Sequence, residues 1–260
     1  MLTCDHIIKP LEVFKNDAEK ATAFAAQDKL VIFGISPTRP ETVYGYIKAG
    51  KLLAEGVHAV DAFLEKPDRK KAEKLAASNL FVWNSGMFAF NCEFLYDELY
   101  RYAGNVIRPF NNLEAPDEKT YIKSKGIRIL NNWKGLDTAY SNTEQISFDH
   151  AVTEKCIHTV MVKAAFDWID VGDWDEYSRL LSDNENDDND VEIYSAGTSG
   201  SSFVDSDIPV ALAGVEDLIV VIRSGKDGSP PAALIVKRGE AQKVRDIVEQ
   251  IKKTGRTEIL

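Results

Sequence analysis

Asp5 and Asp170 each lie beside a short apolar run, Ile7-Ile8 for the first and Ile169 with Val171 for the second. Carboxylates at strand ends offer hard oxygen ligands, and two of them brought together by folding could hold Mg²⁺. Each also has a plainer reading, Asp5 as a turn residue and Asp170 as a turn or cap residue. Glu65-Lys66-Pro67 closes another apolar stretch. Glu65 could accept hydrogen bonds from sugar hydroxyls while Lys66 neutralises a phosphate on the same sugar. The alternative is an ordinary exposed pair at a strand end. Pro67 restricts the residue before it, and so the path out of the strand.

Trp83-Asn84-Ser85-Gly86-Met87-Phe88 combines an aromatic wall, an amide and a small residue suited to a turn. Asn84 could read sugar hydroxyls with both ends of its amide, or simply cap the local turn while Trp83, Met87 and Phe88 fill the core. In Thr38-Arg39-Pro40-Glu41-Thr42-Val43-Tyr44-Gly45-Tyr46-Ile47, Gly45 permits close approach of a ligand, and Tyr44 or Tyr46 could pack on a sugar or base. Arg39 reads better as a surface residue than as an anion ligand. Asp173 stands where a helix cap belongs. His6 and His150 have no nucleophile or metal constellation in the sequence, and structural roles are expected. The turn Arg223-Ser224-Gly225-Lys226-Asp227-Gly228-Ser229 lacks P-loop spacing and reads as an exposed turn.

The elements that must position these groups alternate. Periodicity predicts helices over 9–27, 68–77, 93–102, 173–181 and 240–252, and strands over 30–35, 57–64, 86–91 and 159–163. A helix start fits either the capping box at Ser141 or Ser147. Short strands are expected over 191–195, 202–205, 210–213, 218–222 and 232–236. The acidic run 183–190 cannot supply an apolar core and lacks the calcium-loop pattern. Expected, then, are a partial large domain over 1–182, a linker or loop over 183–190, and a small β-rich domain with a terminal helix over 191–260.

At 260 residues the chain can bury a sizeable core. Its formal charge of −10 argues against an extended nucleic-acid surface. Cys4, Cys92 and Cys156 have neither redox nor metal spacing, which suits a reduced cytoplasm. No apolar run is long enough for a membrane span, and the start does not read as a signal peptide. A cytoplasmic protein without nucleic-acid or membrane partners is expected.

Taken in order, these segments resemble the mannose-1-phosphate guanylyltransferase family of sugar nucleotidyltransferases. The likeness runs through Cys4-Asp5-His6-Ile7-Ile8, Phe33-Gly34-Ile35, Pro40 to Ile47, Phe63 to Pro67, Trp83 to Phe88, Ser147-Phe148-Asp149-His150-Ala151-Val152-Thr153-Glu154-Lys155 and Trp168-Ile169-Asp170-Val171-Gly172-Asp173-Trp174. It weakens across the acidic run and returns at Gly214 to Val221. The resemblance implies an α/β, Rossmann-like nucleotidyltransferase fold with a mixed central sheet and a small β-rich C-terminal domain. By the same resemblance Asp5 and Asp170 are metal ligands, Glu65 and Asn84 bind the sugar, Lys66 faces its phosphate and Gly45 approaches the ligand through its backbone.

The implied reaction is Mg²⁺-dependent transfer of guanylyl from GTP to mannose 1-phosphate, giving GDP-mannose and pyrophosphate. Another hexose 1-phosphate, such as glucose 1-phosphate, or a noncatalytic sugar-phosphate-binding or assembly subunit are the competing readings. Two departures stand out. Val43 occupies a position where the family commonly has glycine. The family's glycine-rich nucleotide loop belongs before the Asp5 segment, where only Met1-Leu2-Thr3-Cys4 is present. The nucleotidyltransferase domain is therefore expected to be N-terminally incomplete, with the nucleotide portion supplied by an upstream segment or a separate N-terminal subunit. A homo-oligomer is also compatible with the small domain.

Overall fold

The structure is a computed structural model that describes residues 1–131, 133–182, 191–197, 201–226 and 228–259. The acidic run 183–190 expected as a linker lies outside the described residues, as does Asp227 of the glycine-rich turn. The chain runs β1 (His6–Lys9), α1 (Leu11–Ala25), β2 (Leu30–Ile35), β3 (Tyr46–Ala54), β4 (Val57–Leu64), α2 (Arg69–Ala76), β5 (Phe81–Ala89) and α3 (Cys92–Tyr102). It continues through α4 (Gly104–Ile107), β6 (Tyr121–Ser124), β7 (Ile127–Leu130), α5 (Leu136–Ser141), β8 (Thr159–Lys163), β9 (Asp167–Asp170) and α6 (Trp174–Ser182). Then follow β10 (Ile193–Ala196), β11 (Phe203–Ser206), β12 (Val210–Ala213), β13 (Leu218–Arg223), β14 (Ala232–Lys237) and α7 (Val244–Thr254). Close contacts group Met1–Cys4 with Ile8–Trp168 in one compact unit, and Asp5–Ile7 with Ile169–Leu260 in a second.

In the first unit, β2, β5, β3, β4 and β8 hydrogen-bond in that order, and the ring of pairings closes between β2 and β8. The sheet is mixed: β2 and β8 are parallel, and the other neighbours are antiparallel. Register shifts between Lys48 and Ala54 break the β3–β4 ladder into short stretches; such irregularities bend a hairpin. The start of β4 pairs with β8 as well as with β3, while its end pairs with β3. All of β2 is buried, which explains its unbroken apolar sequence. On one face Phe14, Ala21, Phe24 and Ala25 of α1 pack with Val31, Phe33 and Val162. Opposite alternation puts Leu30, Ile32, Ile47 and Met161 in a second cluster with Leu95, Leu99 and Val152. Asp17, buried on α1, accepts the Ala165 N–H at 2.9 Å and the Lys20 ammonium at 2.9 Å, which fixes the helix against the loop after β8.

Two element expectations change. The strand expected over 86–91 is β5, which begins at Phe81 and ends at Ala89. Between the pairs Ile32↔Phe88 and Gly34↔Asn84, β2 has one residue and β5 has three. Gly86, at φ +70°, sits in that bulge. Of the two helix starts, Ser147 is realised: its Oγ accepts the His150 N–H at 3.3 Å, ahead of a π-helical turn over Asp149–Thr153. Ser141 instead ends α5 and bonds back to the Asp137 carbonyl.

In the second unit β11, β13 and β14 form a sheet, with β11–β13 parallel and β13–β14 antiparallel, and β10 pairs with β12 in parallel. Phe203, Ile219 and Val221 form its core with Trp174, Tyr177 and Leu181 of α6. Hence α6 groups with the chain that follows it. Within the glycine-rich turn, Ser224 donates through its N–H to the Asp207 carboxylate at 2.8 Å. No helix among the described residues is long and apolar enough to cross a membrane.

Candidate functional site

The register of three adjacent strands builds the first constellation. Tyr46 on β3 is paired with Trp83 on β5 and with Leu64 on β4, both antiparallel. One step back along β3 therefore lies Gly45, with Asn84 on one side and Glu65 on the other. Side chains at such directly opposed positions share a face. Gly45 leaves a slot in the middle of this row: a Cβ there would come within 2.7 Å of Glu65 Oε2 and 3.4 Å of Asn84 Cβ. The Gly45 carbonyl accepts the Asn84 N–H at 2.8 Å, which holds the row together. Lys66, at φ +41°, turns the chain out of β4, and its ammonium meets Glu65 Oε1 at 2.7 Å. The Lys66 side chain is exposed and that of Glu65 mostly covered, an arrangement suited to a solvent-facing anion above a partly desolvated carboxylate.

Asn84 is more constrained than its sequence suggests. Its Oδ1 accepts the Gly86 N–H at 3.2 Å and its Nδ2 donates to Asp149 Oδ1 at 3.0 Å. Each end of the amide thus already holds one partner, so it is not wholly free for a ligand. Asp149 belongs to the π-helical turn and was given no role in the sequence. Its carboxyl is pushed up, first by burial and then by the neighbouring Glu65 charge, against the hydrogen bond from Asn84. The only sequence signal for it was its place inside the segment from Ser147 to Lys155.

Nearby in the same unit, Tyr44 packs edge-on against Trp83 and Trp168, each at 5.3 Å. The Arg39 guanidinium lies 5.7 Å above the Trp83 ring and pairs with Glu41. Tyr46 is fully buried, and its hydroxyl accepts the Glu41 N–H at 3.0 Å. It is core, and only Tyr44 remains of the two candidate stacking tyrosines.

The second constellation lies in the second unit. Asp5, His6 and Asp170 offer ligand atoms that all lie within 4.8 Å of one another. His6 Nε2 stands 3.9 Å from Asp170 Oδ1, and the Val171 N–H bonds the Asp5 carbonyl at 3.3 Å. His6, expected to be merely structural, therefore joins the two aspartates. Burial holds the imidazole below its usual pKa despite the Asp170 and Asp5 charges. Burial also raises the Asp170 carboxyl, against the effect of His6. Two carboxylates and an imidazole are a donor set that fits a divalent cation. Gly172 keeps the space beside Asp170 open, since a Cβ there would lie 3.3 Å from its Oδ1. Asp173 caps α6 through the Glu176 N–H at 3.0 Å and accepts from Gln242, as its position implied.

Residues 1–187 match the family described as nucleotidyl transferase, and the chain belongs to it. It is 34% identical over 271 residues to a mannose-1-phosphate guanylyltransferase of Klebsiella pneumoniae, covering 99% of this chain and 52% of that one. It is 33% identical over 267 residues to the xanthan biosynthesis protein XanB of Xanthomonas campestris pv. campestris, with 99% and 52% covered. A crystal structure described as a mannose-1-phosphate geranyltransferase from Thermus thermophilus matches with a TM-score of 0.73 at 25% identity, over 95% of this chain and 68% of that one. The chain spans about half the length of the curated relatives it matches. Its fold is the α/β nucleotidyltransferase fold with a mixed central sheet and a smaller β-rich region, as the resemblance implied.

Proposed function

We propose that this chain carries the sugar-phosphate and metal-binding parts of a magnesium-dependent mannose-1-phosphate guanylyltransferase, which forms GDP-mannose and pyrophosphate from GTP and mannose 1-phosphate. The row of Asn84, Gly45 and Glu65 with Lys66 beside it carries this reading. Support comes from similarity, over nearly the whole chain, to a relative named for that activity. Glu65 accepts hydrogen bonds from sugar hydroxyls, Gly45 admits the ring close to the backbone, and Lys66 faces the phosphate.

Asp5 and Asp170, with His6 beside them, would hold Mg²⁺. When bound, the ion supplies charge neutralisation on the transferring and leaving phosphates. The attacking group is a phosphate monoester with a second pKa of about 6, so it is largely dianionic at neutral pH and needs no general base. The two aspartates are accordingly ligands and not proton acceptors. The choice of GTP is supported by similarity to relatives named as guanylyltransferases.

The test is formation of GDP-mannose from GTP and mannose 1-phosphate with Mg²⁺, with binding of mannose 1-phosphate measured calorimetrically on the same preparation. Binding of mannose 1-phosphate that weakens in Lys66→Met supports the reading. Absence of that binding, alongside firm binding of glucose 1-phosphate, overturns it.

A further inference from the structure

Asn84 has two hydrogen-bond partners of opposite type. The Gly86 N–H can only donate, and at 3.2 Å it favours the amide oxygen on its own side. Asp149 Oδ1 accepts from the amide nitrogen at 3.0 Å. A flipped amide would set oxygen against carboxylate oxygen and N–H against N–H, so both contacts oppose the flip. What Asn84 retains is one free N–H and one lone pair in a defined orientation. Across the Gly45 slot stands Glu65, an acceptor when ionised. A hydroxyl seated between the two accepts from Asn84 and donates to Glu65.

We propose that Asp149 is a positioning residue that fixes the polarity of the Asn84 amide, so that Asn84 and Glu65 together read a sugar hydroxyl as acceptor on one side and donor on the other. The proposal rests on the sugar-phosphate reading of this row and adds the origin of its hydroxyl selectivity. Asp149 reaches Asn84 across 65 positions of sequence, from a π-helical turn that ends on the Glu154 N–H bonding the Asp149 carbonyl at 3.0 Å. Turns of this kind hold one residue more than an α-turn and redirect the side chain at their start.

The experiment compares the unaltered chain with Asp149→Ala and Asp149→Asn. Calorimetry measures binding of mannose 1-phosphate, its monodeoxy analogues and inorganic phosphate. In the unaltered chain, loss of the hydroxyl read by Asn84 and Glu65 should weaken binding by about tenfold. In Asp149→Ala that penalty should shrink to within about threefold while phosphate binding is unchanged, and Asp149→Asn, which keeps an acceptor, should restore most of it. A full deoxy penalty in Asp149→Ala overturns the proposal, as does an equal loss for every ligand including phosphate. A second readout needs no sugar. The side-chain NH₂ resonances of Asn84, assigned by their disappearance in Asn84→Asp, should exchange slowly with solvent and do so faster in Asp149→Ala. Exchange that is unchanged overturns the positioning role. Slow exchange in a chain that binds no hexose 1-phosphate overturns the sugar-phosphate reading instead.

Discussion

Gly45 is the residue on which the proposed sugar row turns, and what it offers there is volume. Gly45→Ala would place a methyl group 2.7 Å from Glu65 Oε2 and 3.1 Å from Phe63 Cζ, so Glu65 must shift and the Phe63 ring must give slightly. Mannose 1-phosphate binding should weaken by about tenfold or more, whereas the urea midpoint should fall only modestly, because the closest displaced atom ends a flexible side chain and the Phe63 ring need yield only slightly. Calorimetric binding that matches the unaltered chain would show that the slot is not used. At this scale the sequence conveyed residue types and little of their coupling. Glu65, Lys66, Gly45 and Asn84 could be singled out as candidates because each closes or follows an apolar run or stands in a distinctive local segment. Asp149 and His6 were not. Asp149 acquires meaning only from a contact 65 positions away, and His6 only from the side chain of Asp170.

Elements were legible where a single force decides them. The bounds of β2, β4 and β8 follow their apolar runs, and Asp68 and Asn91 cap α2 and α3 with their side chains. The start of β5 was not legible, since Gly86 reads as a turn residue. In the fold it serves a bulge whose N–H groups are satisfied by Asn84 Oδ1 and Ser85 Oγ in place of a neighbouring strand. The small strands β6 and β7 carry exposed Ile122, Ile127 and Ile129, so burial gave no alternating pattern to read. In the second unit, Asp175 of α6 is buried and accepts the Gly239 N–H at 2.8 Å and the Ala241 N–H at 3.4 Å, tying the helix to the turn before α7. Asp175→Ala leaves those donors unpaired and should destabilise this unit by about 1–3 kcal/mol. Hydrogen exchange over 239–254 is the measurement, and unchanged protection there would count against a structural role for the carboxylate.

For the whole molecule, charge and burial point the same way with pH. The chain carries a formal charge of −10, and self-repulsion of that sign is relieved as carboxylates protonate. Asp149 adds a specific part, because burial and Glu65 raise its pKa in the folded state. A carboxyl raised on folding binds its proton more tightly in the native state. Its contribution is complete below the unfolded value of about 3.9 and is lost as pH rises through the raised folded value. The part of the melting temperature that Asp149 governs should therefore rise as pH is lowered through that folded value toward about 4, and Asp149→Asn should flatten this part of the slope. A slope identical in the variant would mean that Asp149 titrates as in the unfolded chain. Asp205 runs the other way, since Arg223 and Tyr177 hold its carboxyl down; its contribution is lost as pH falls through the lowered value.

The π-helical turn at Asp149–Thr153 has a consequence for how this site can change over generations. Removal of one residue from within 150–153 would let the segment close as an ordinary α-turn, rotating Asp149 by roughly 100° about the helix axis. The carboxylate would leave Asn84 with the residues around both still in place. The hydroxyl selectivity proposed for this row is then open to alteration by a single-codon deletion, and the length of this turn becomes as informative as the letters within it.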